Sequence, residues 1–147
     1  MQIFTSKSPE ETKKIARDLA KNFKSGIIAL AGELGSGKTT FAQGFAEGLE
    51  IKEKIISPTY VLIRQHKIPE TKKTLPAGRQ VLYHIDLYRL EASGVANLGI
   101  DEIIRNPNNI VLIEWVEKIK NLLPKETIWI SFEITDEGRS IAIRSLQ

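Results

Sequence analysis

The chain contains three short apolar runs, at residues 26–31, 81–86 and 110–114, which are rich in aliphatic and β-branched side chains. Runs of this length and composition are typical of strands that are buried in a sheet. The last two runs each end in a carboxylate, at Asp86 and Glu114. The pattern therefore predicts three buried strands, two of which carry an acidic side chain at their end.

Apolar residues recur every four positions in two segments, which predicts two amphipathic helices. The first helix is preceded by Ser8, a predicted N-cap, with Pro9 in the first helical position and Glu11 completing a capping box. Its Thr12 is expected from the local sequence to be an ordinary exposed residue. The apolar positions are Ile15, Leu19 and Phe23 in the first helix and Phe41, Phe45 and Leu49 in the second.

The C-terminal part of the chain has the pattern of an antiparallel pair. Apolar and polar residues alternate at 127–134, which predicts a strand buried on one face. Residues 136–139, D-E-G-R, predict a hairpin turn into a second strand at 140–144. Shorter strands are predicted at residues 2–5, at a sheet edge, and at residues 61–64.

Residues 32–39, G-E-L-G-S-G-K-T, match the phosphate-binding P-loop pattern without a gap. A predicted strand precedes them and a predicted helix follows, which favours a P-loop over an ordinary glycine-rich turn. Glycines let successive N–H groups point at phosphate oxygens, and the helix N-terminus adds a positive dipole. In such loops Lys38 would approach the outer phosphates and the Thr39 hydroxyl would bind Mg²⁺.

These elements predict an α/β fold of the P-loop NTPase class, with a mixed, mostly parallel central sheet flanked by helices and a C-terminal antiparallel β pair. The length of 147 residues and the hydrophobic fraction of 41% predict one domain with a real core, so residues 1–147 are expected to form a single P-loop ATPase domain. The absence of cysteine excludes disulfides and thiolate metal sites. Without a signal peptide or a long apolar run, we expect a cytoplasmic protein. A net charge of +3 is too small to argue for direct binding of nucleic acid.

The acids at the strand ends are the strongest candidates for chemistry beside the P-loop. Ligands of open α/β sheets bind beyond the carboxyl ends of the parallel strands, where Asp86 and Glu114 are expected. One acid could bind Mg²⁺ while the other orients the attacking water; the alternative for each is a helix cap or a surface acid. His84 is expected to be structural, without a chemical role. Residues 57–60, S-P-T-Y, predict an ordinary turn, although the Thr59 hydroxyl could instead approach a γ-phosphate or Mg²⁺.

Four motifs follow one another along the chain: G-E-L-G-S-G-K-T-T from residue 32, S-P-T-Y from residue 57, H-I-D-L-Y-R-L from residue 84 and I-E-W from residue 113. This ordered set resembles the TsaE (YjeE) family, the small P-loop ATPase of the bacterial pathway that makes threonylcarbamoyladenosine in tRNA. The resemblance extends over nearly the whole chain. It implies ATP and Mg²⁺ as ligands, weak ATP hydrolysis by the isolated protein, and association with the TsaD and TsaB proteins, through which it would act on tRNA indirectly.

The resemblance also implies roles for individual residues. Thr12 and Arg139 match an N-terminal helix residue and a late arginine that approach the nucleotide in that family. The catalytic residues would be Lys38, Asp86 and Glu114, the metal ligands Thr39 and Glu114, and the nucleotide-binding residues Thr12, Gly35, Ser36, Gly37, Lys38, Thr39, Thr40, Trp115 and Arg139.

The sequence departs from the family pattern in two places. Glu33 stands where the family usually has Asp, and its side chain is expected to point away from the phosphate cradle. Residues 75–80 resemble an additional loop within the polar stretch 65–80, which predicts a surface loop. Any partner contact that the family makes through this loop is therefore in doubt.

Other functions remain open at the level of sequence. A small-molecule kinase would need an acceptor pocket and usually an arginine-rich lid, for which the polar stretch offers only Arg79. A non-enzymatic nucleotide-dependent adaptor is a second alternative, against which the two well-placed acids argue. A GTPase is disfavoured, because the chain contains no N-K-x-D segment for reading guanine.

Overall fold

A computed structural model describes residues 1–55, 63–69, 80–88 and 99–145 of the chain. Its elements are β1 (Gln2–Ser6), α1 (Pro9–Lys21), β2 (Gly26–Gly32), α2 (Lys38–Gly48), β3 (Ile63–Lys67), β4 (Val81–Asp86), α3 (Ile100–Arg105), β5 (Ile110–Glu114), a 3₁₀ segment (Val116–Leu122), β6 (Ile128–Thr135) and β7 (Gly138–Ser145). The predicted turn with Thr59 and the residues 70–79 of the predicted surface loop, including Arg79, lie outside the described residues.

The strands form one seven-stranded sheet in the order β1-β7-β6-β2-β5-β4-β3. The four central strands, β6, β2, β5 and β4, run parallel to one another. At the two sides, β1 pairs with β7, β7 with β6 and β3 with β4, all antiparallel. The predicted mixed sheet with its C-terminal antiparallel pair is confirmed. Because parallel strands end at the same edge, the carboxyl ends of β2, β4 and β5 lie together.

Helical segments cover both faces of the central strands. Along β2, Ile28 and Leu30 belong to the apolar cluster under α1 and α2, whereas Ile27 and Ala29 belong to the cluster under α3 and the 3₁₀ segment. A strand covered on both faces has a continuous apolar sequence, which explains the run at 26–31. Among the described residues, no helix is long and apolar enough to cross a membrane.

Helices α1 and α2 pack closely because small residues lie between them. A Cβ atom at Gly44 would lie 2.5 Å from the Cα atom of Lys13, and one at Gly48 would lie 2.7 Å from the Cβ atom of Ala20. The predicted N-cap is confirmed, since the Ser8 side chain accepts a hydrogen bond of 3.1 Å from the Glu11 backbone N–H. The buried positions of α1 are Thr12, Ala16 and Ala20, and the predicted apolar stripe of Ile15, Leu19 and Phe23 packs half-buried at the margin.

Two local predictions are wrong. Thr12 is buried, with 3% of its surface exposed, because it faces the tight side of α1 rather than solvent. Strand β3 continues to Lys67, into the stretch predicted to be a surface loop, and buries His66. Strand β3 lies at the edge of the sheet and is only half-buried, so it carries polar residues. Its sequence therefore lacks the apolar run from which central strands are predicted.

Candidate nucleotide-binding site

The P-loop turns from β2 into α2 through backbone conformations that favour glycine. Gly32, Gly35 and Gly37 have φ angles of 152°, 77° and 109°, and Gly37 is the N-cap of α2. At Gly32 a Cβ atom would lie 2.7 Å from the Phe132 carbonyl oxygen and 2.8 Å from the Ser36 Oγ atom, so a side chain has no room there. The loop thus brings the N-terminus of α2 to the carboxyl edge of the sheet, an arrangement suited to binding phosphate.

Lys38 lies at the centre of this edge and is buried. Its ammonium donates hydrogen bonds to the carbonyl oxygens of Gly32 and Glu33 and lies 4.1 Å from the ring centroid of Trp115. Burial lowers the pKa of Lys38 from its ordinary value, and this outweighs the nearby carboxylates, of which Glu114 contributes most. The charged form is therefore short of compensating negative charge, which phosphate oxygens could supply.

The two acids at the strand ends lie side by side. Asp86 of β4 pairs in register with Glu114 of β5, and both are buried, with 3% and 2% exposed. Glu114 Oε1 accepts a hydrogen bond of 3.2 Å from the Thr39 hydroxyl, and Asp86 Oδ1 accepts one of 2.9 Å from the Tyr88 N–H. The parallel sheet thus brings both predicted acids to the P-loop helix.

His84 belongs to this group, although its position in the sequence predicted only a structural residue. Its Nε2 atom lies 2.6 Å from Glu114 Oε2, and its side chain is 1% exposed. His84 and Asp86 are two residues apart on β4, so their side chains emerge on the same face. That spacing is the signal that could have placed His84 beside the acids.

Trp115 lines the site through an unusual backbone conformation. Its φ of 59° is in the left-handed region, which costs a non-glycine residue about 1 kcal/mol or more. In an extended strand the side chains of Glu114 and Trp115 would point to opposite faces, and the left-handed turn brings both to the same space. The Trp115 ring also packs against the ring of Tyr88, with centroids 4.8 Å apart. Tyr88 is a second residue of the site for which the sequence pattern predicted no role.

These side chains line a cleft beside the P-loop. We name it the acid cleft, and its walls carry Lys38, Thr39, Asp86, Tyr88, Glu114 and Trp115. A second cleft, which we name the hydroxyl cleft, is lined by Ser6, Lys7, Ser8, Thr12, Gly138 and Arg139. Gly35, Gly37 and Thr40 line both clefts.

The hydroxyl cleft brings together the two candidates that are far apart in sequence from the P-loop. The Thr12 and Ser6 hydroxyl oxygens are 2.7 Å apart, and Ser6 Oγ also donates a hydrogen bond of 2.8 Å to the Ser8 carbonyl oxygen. The Arg139 guanidinium donates a hydrogen bond of 3.2 Å to the Gly35 carbonyl oxygen. Thr12 and Arg139 therefore do lie beside the P-loop.

The remaining predicted residues lie within the loop itself. The Ser36 Oγ atom is buried and has no hydrogen-bond partner among the described residues, so it retains a polar group for a ligand or water. Glu33 is exposed, as expected for a side chain that points away from the cradle.

The side chains of the acid cleft suit Mg²⁺. Hydroxyl and carboxylate oxygens, as in Thr39, Asp86 and Glu114, are the donors that this ion prefers. Within the part of the chain that the structure describes, no group of three or more His, Cys, Asp or Glu residues could hold a metal ion. Mg²⁺ commonly takes one or two protein ligands and completes its shell with water and substrate phosphates, so this donor set fits it.

The chain is similar to known proteins over nearly its whole length. The family model described as "Threonylcarbamoyl adenosine biosynthesis protein TsaE" matches residues 6–141. A Bacillus subtilis protein named tRNA threonylcarbamoyladenosine biosynthesis protein TsaE is 41% identical over 141 residues, covering 95% of this chain and 82% of the relative. A Haemophilus influenzae protein of the same name is 34% identical over 152 residues, covering 97% and 90%. The crystal structure of Bacillus subtilis YdiB superposes with a TM-score of 0.77 at 33% identity, covering 99% of this chain and 86% of that one.

Proposed function

The chain belongs to the TsaE family, and from that premise we propose that it binds ATP with Mg²⁺ and hydrolyses it for threonylcarbamoyladenosine biosynthesis in tRNA. The observation that carries the proposal is the meeting of a complete P-loop with two buried, adjacent carboxylates, Asp86 and Glu114. Buried acids cost free energy unless a cation or hydrogen bonds compensate them. Hydrogen bonds from Thr39, His84 and Tyr88 already reach these acids, and a bound Mg²⁺ would add the cation.

The phosphates would bind where the P-loop N–H groups and Lys38 point. The Lys38 ammonium would exchange its carbonyl partners, Gly32 and Glu33, for the outer phosphate oxygens. Ser36 would donate its unpaired hydroxyl in the same cradle. This exchange is favourable because a charge-assisted bond to phosphate is stronger than a bond to a neutral carbonyl.

Catalysis would depend on the acid cleft. Bound Mg²⁺ would neutralise part of the phosphate charge. Thr39 and Glu114 would bind the ion, and the hydrogen bond between them already fixes their distance. Asp86 would orient the attacking water, with its own carboxylate held by the Tyr88 N–H. Trp115, packed over Lys38, would exclude solvent from the phosphate side of the cleft.

The rest of the nucleotide would lie in the hydroxyl cleft. Thr12 and Arg139 present a hydroxyl and a guanidinium on the far side of Gly35 and Gly37, and Thr40 lines both spaces. A guanidinium suits a phosphate, which accepts hydrogen bonds, and the Thr12 hydroxyl oxygen suits a ribose hydroxyl, which can donate one. The P-loop would thus divide the site into a part that reacts and a part that binds.

The partners that we propose are the TsaD and TsaB proteins. Isolated protein should hydrolyse ATP slowly and should associate with a TsaD–TsaB assembly in an ATP-dependent way. Linkage requires that ATP and the assembly strengthen each other's binding by the same factor. This reciprocity can be measured from both sides, by calorimetric titration of ATP with and without the assembly and of the assembly with and without ATP.

The experiment that tests the function is a reconstituted tRNA modification assay. Parent protein should support repeated rounds of modification, and the Lys38→Ala variant should not. A matched control is Lys14→Ala, which removes an exposed lysine of α1. Modification by Lys38→Ala at the parent's level, or transfer of phosphate to a metabolite by the isolated parent, would overturn the proposal, and the latter would identify a kinase.

A further inference from the structure

The hydrogen bond between His84 and Glu114 gives the acid cleft an additional member. The imidazole lies on β4, below the carboxyl edge, and is fully buried. Its Nε2 atom is 2.6 Å from Glu114 Oε2. Its Nδ1 atom is buried and has no hydrogen-bond partner among the described residues. Within that part of the chain, the Glu114 carboxylate is therefore the polar contact of the ring.

The geometry places Glu114 between two donors. Oε2 faces the His84 Nε2–H and Oε1 faces the Thr39 hydroxyl, at 2.6 Å and 3.2 Å. A carboxylate held at both oxygens has little freedom to rotate about its terminal bond. His84 therefore fixes the direction in which Oε1 points, which is toward the first turn of the P-loop helix.

A purely structural role would not require a histidine here. In the register of the sheet, His84 lies opposite Leu112, in the middle of an apolar strand, where an apolar residue would pack without a polar group to satisfy. Burying an imidazole costs free energy that a single hydrogen bond compensates only in part. The position is explained if the ring acts on the carboxylate that it contacts.

We propose that His84 is a positioning residue, which holds the Glu114 carboxylate in the orientation that binds Mg²⁺ beside ATP. This rests on the proposed function, because it assumes that Glu114 binds the metal. Hydrogen-bond partners of metal-binding carboxylates typically change metal affinity by about 10- to 100-fold when they are removed. Removal of the His84 hydrogen bond should therefore change the Mg²⁺ dependence of ATP binding more than it changes the stability of the fold.

The test measures the ATP dissociation constant by calorimetry, once with Mg²⁺ and once with a chelator. The dissociation constant with the chelator, divided by the dissociation constant with Mg²⁺, reports how strongly Mg²⁺ supports ATP binding. His84→Leu, which removes the donor at similar volume, should reduce this ratio about tenfold or more. His84→Gln, whose amide N–H reaches about as far as Nε2, should stay near the parent, and His84→Asn, whose amide ends one carbon earlier, should behave like His84→Leu.

His66→Leu is the matched control. His66 is the other histidine of the chain, is also buried, and pairs with Glu53 on the edge strand β3. Its replacement should leave the Mg²⁺ ratio unchanged even if it lowers the melting temperature. An equal change in the ratio for His84→Leu and His66→Leu would overturn the proposal.

Two further outcomes separate this inference from the function on which it rests. In the first, the parent and His84→Leu show the same clear Mg²⁺ dependence of ATP binding; the role proposed for His84 is then wrong and the proposed function stands. If the parent shows no Mg²⁺-dependent binding, the proposed function itself fails. Should His84→Leu not fold, His84→Gln and His84→Asn decide the question, because equal ratios for these two variants would overturn the proposal.

Discussion

The acid cleft and the hydroxyl cleft share Gly35, Gly37 and Thr40 in their walls, yet their side chains are held differently. In the acid cleft, the charged groups are buried at the ends of parallel strands and in the first turn of α2. In the hydroxyl cleft, a half-buried arginine and hydroxyls from β1 and α1 contribute, and Lys7 and Ser8 are exposed. One cleft thus holds buried charged groups, and the other combines the buried hydroxyls of Ser6 and Thr12 with charged groups nearer to solvent.

This difference separates chemistry from binding. Groups that stabilise a transition state must be fixed in advance and shielded from water, which is the condition of Glu114 between His84 and Thr39. Groups that bind the unreacting part of a ligand act equally in the ground state and the transition state, and they change affinity more than turnover. We therefore expect the two acids of the acid cleft to act mainly on kcat, and the hydroxyl cleft to act on affinity for ATP alone.

The largest effect should come from the buried acids. Asp86→Asn and Glu114→Gln keep the shape of each side chain and remove its charge. Each should lower kcat about 100-fold or more at saturating Mg²⁺, since positioning of the metal and the water matters most in the transition state. ATP affinity, measured by calorimetry, should fall much less. An acid whose variant hydrolyses ATP at the parent's rate has no role in the reaction.

Lys38→Ala should show the next effect, on binding itself. Loss of a charge-assisted contact to phosphate costs about 1.5–3 kcal/mol, which weakens the affinity for ATP about tenfold or more. Calorimetry measures the change, and circular dichroism checks that the fold is intact. Lys14→Ala, which breaks only an exposed pair with Asp18, should bind ATP as the parent does. Equal affinities for the two variants would remove Lys38 from the site.

The acid cleft could largely be predicted because its parts carry local signals. The P-loop is a contiguous motif, and Asp86 and Glu114 each end an apolar run, so the rule for parallel strands was sufficient to bring them together. His84 was missed because its contact depends on the register between β4 and β5, which a single strand does not specify. The two-residue spacing between His84 and Asp86 predicts that their side chains share a face of the sheet, but it does not predict the contact with Glu114.

The hydroxyl cleft could not be predicted from local signals. Thr12 looks exposed in its own helix, and its burial depends on how closely α1 approaches α2, which Gly44 and Gly48 permit. Arg139 reaches Gly35 only because β7 lies between β1 and β6 in the sheet. Helix α3 and the 3₁₀ segment were missed for another reason, since elements this short contain too few turns to establish a helical period.

Arg139→Ala sharpens the comparison from the other side. The variant removes the guanidinium that contacts Gly35 in the hydroxyl cleft and should weaken ATP binding about fivefold, equivalent to about 1 kcal/mol. The value of kcat at saturating ATP should stay near that of the parent. Arg144→Ala, on the exposed end of the same strand, is the control and should change neither quantity. A fall in kcat comparable to that of the acid variants would show that the clefts do not act separately.

Thr12→Val should give the smallest effect, and it tests which hydroxyls of the hydroxyl cleft donate and which accept hydrogen bonds. Ser6 has one hydroxyl proton, which it donates to the Ser8 carbonyl oxygen, so Thr12 must be the donor in its 2.7 Å contact with Ser6. The lone pairs of the Thr12 oxygen then remain available to accept a hydrogen bond, for example from a ribose hydroxyl. Valine keeps the volume and removes both functions.

We expect Thr12→Val to lose about 1 kcal/mol of unfolding free energy, a fall of about 2–4 °C in Tm, because one buried hydrogen bond disappears. Affinity for ATP should fall about two- to threefold, less than for Arg139→Ala, and kcat should not change. Thr5→Val, at an exposed position of β1, should leave Tm and affinity unchanged. If ATP affinity survives Thr12→Val while Tm falls, Thr12 is a structural member of the cleft wall. If kcat falls in Thr12→Val, the hydroxyl cleft also takes part in the reaction.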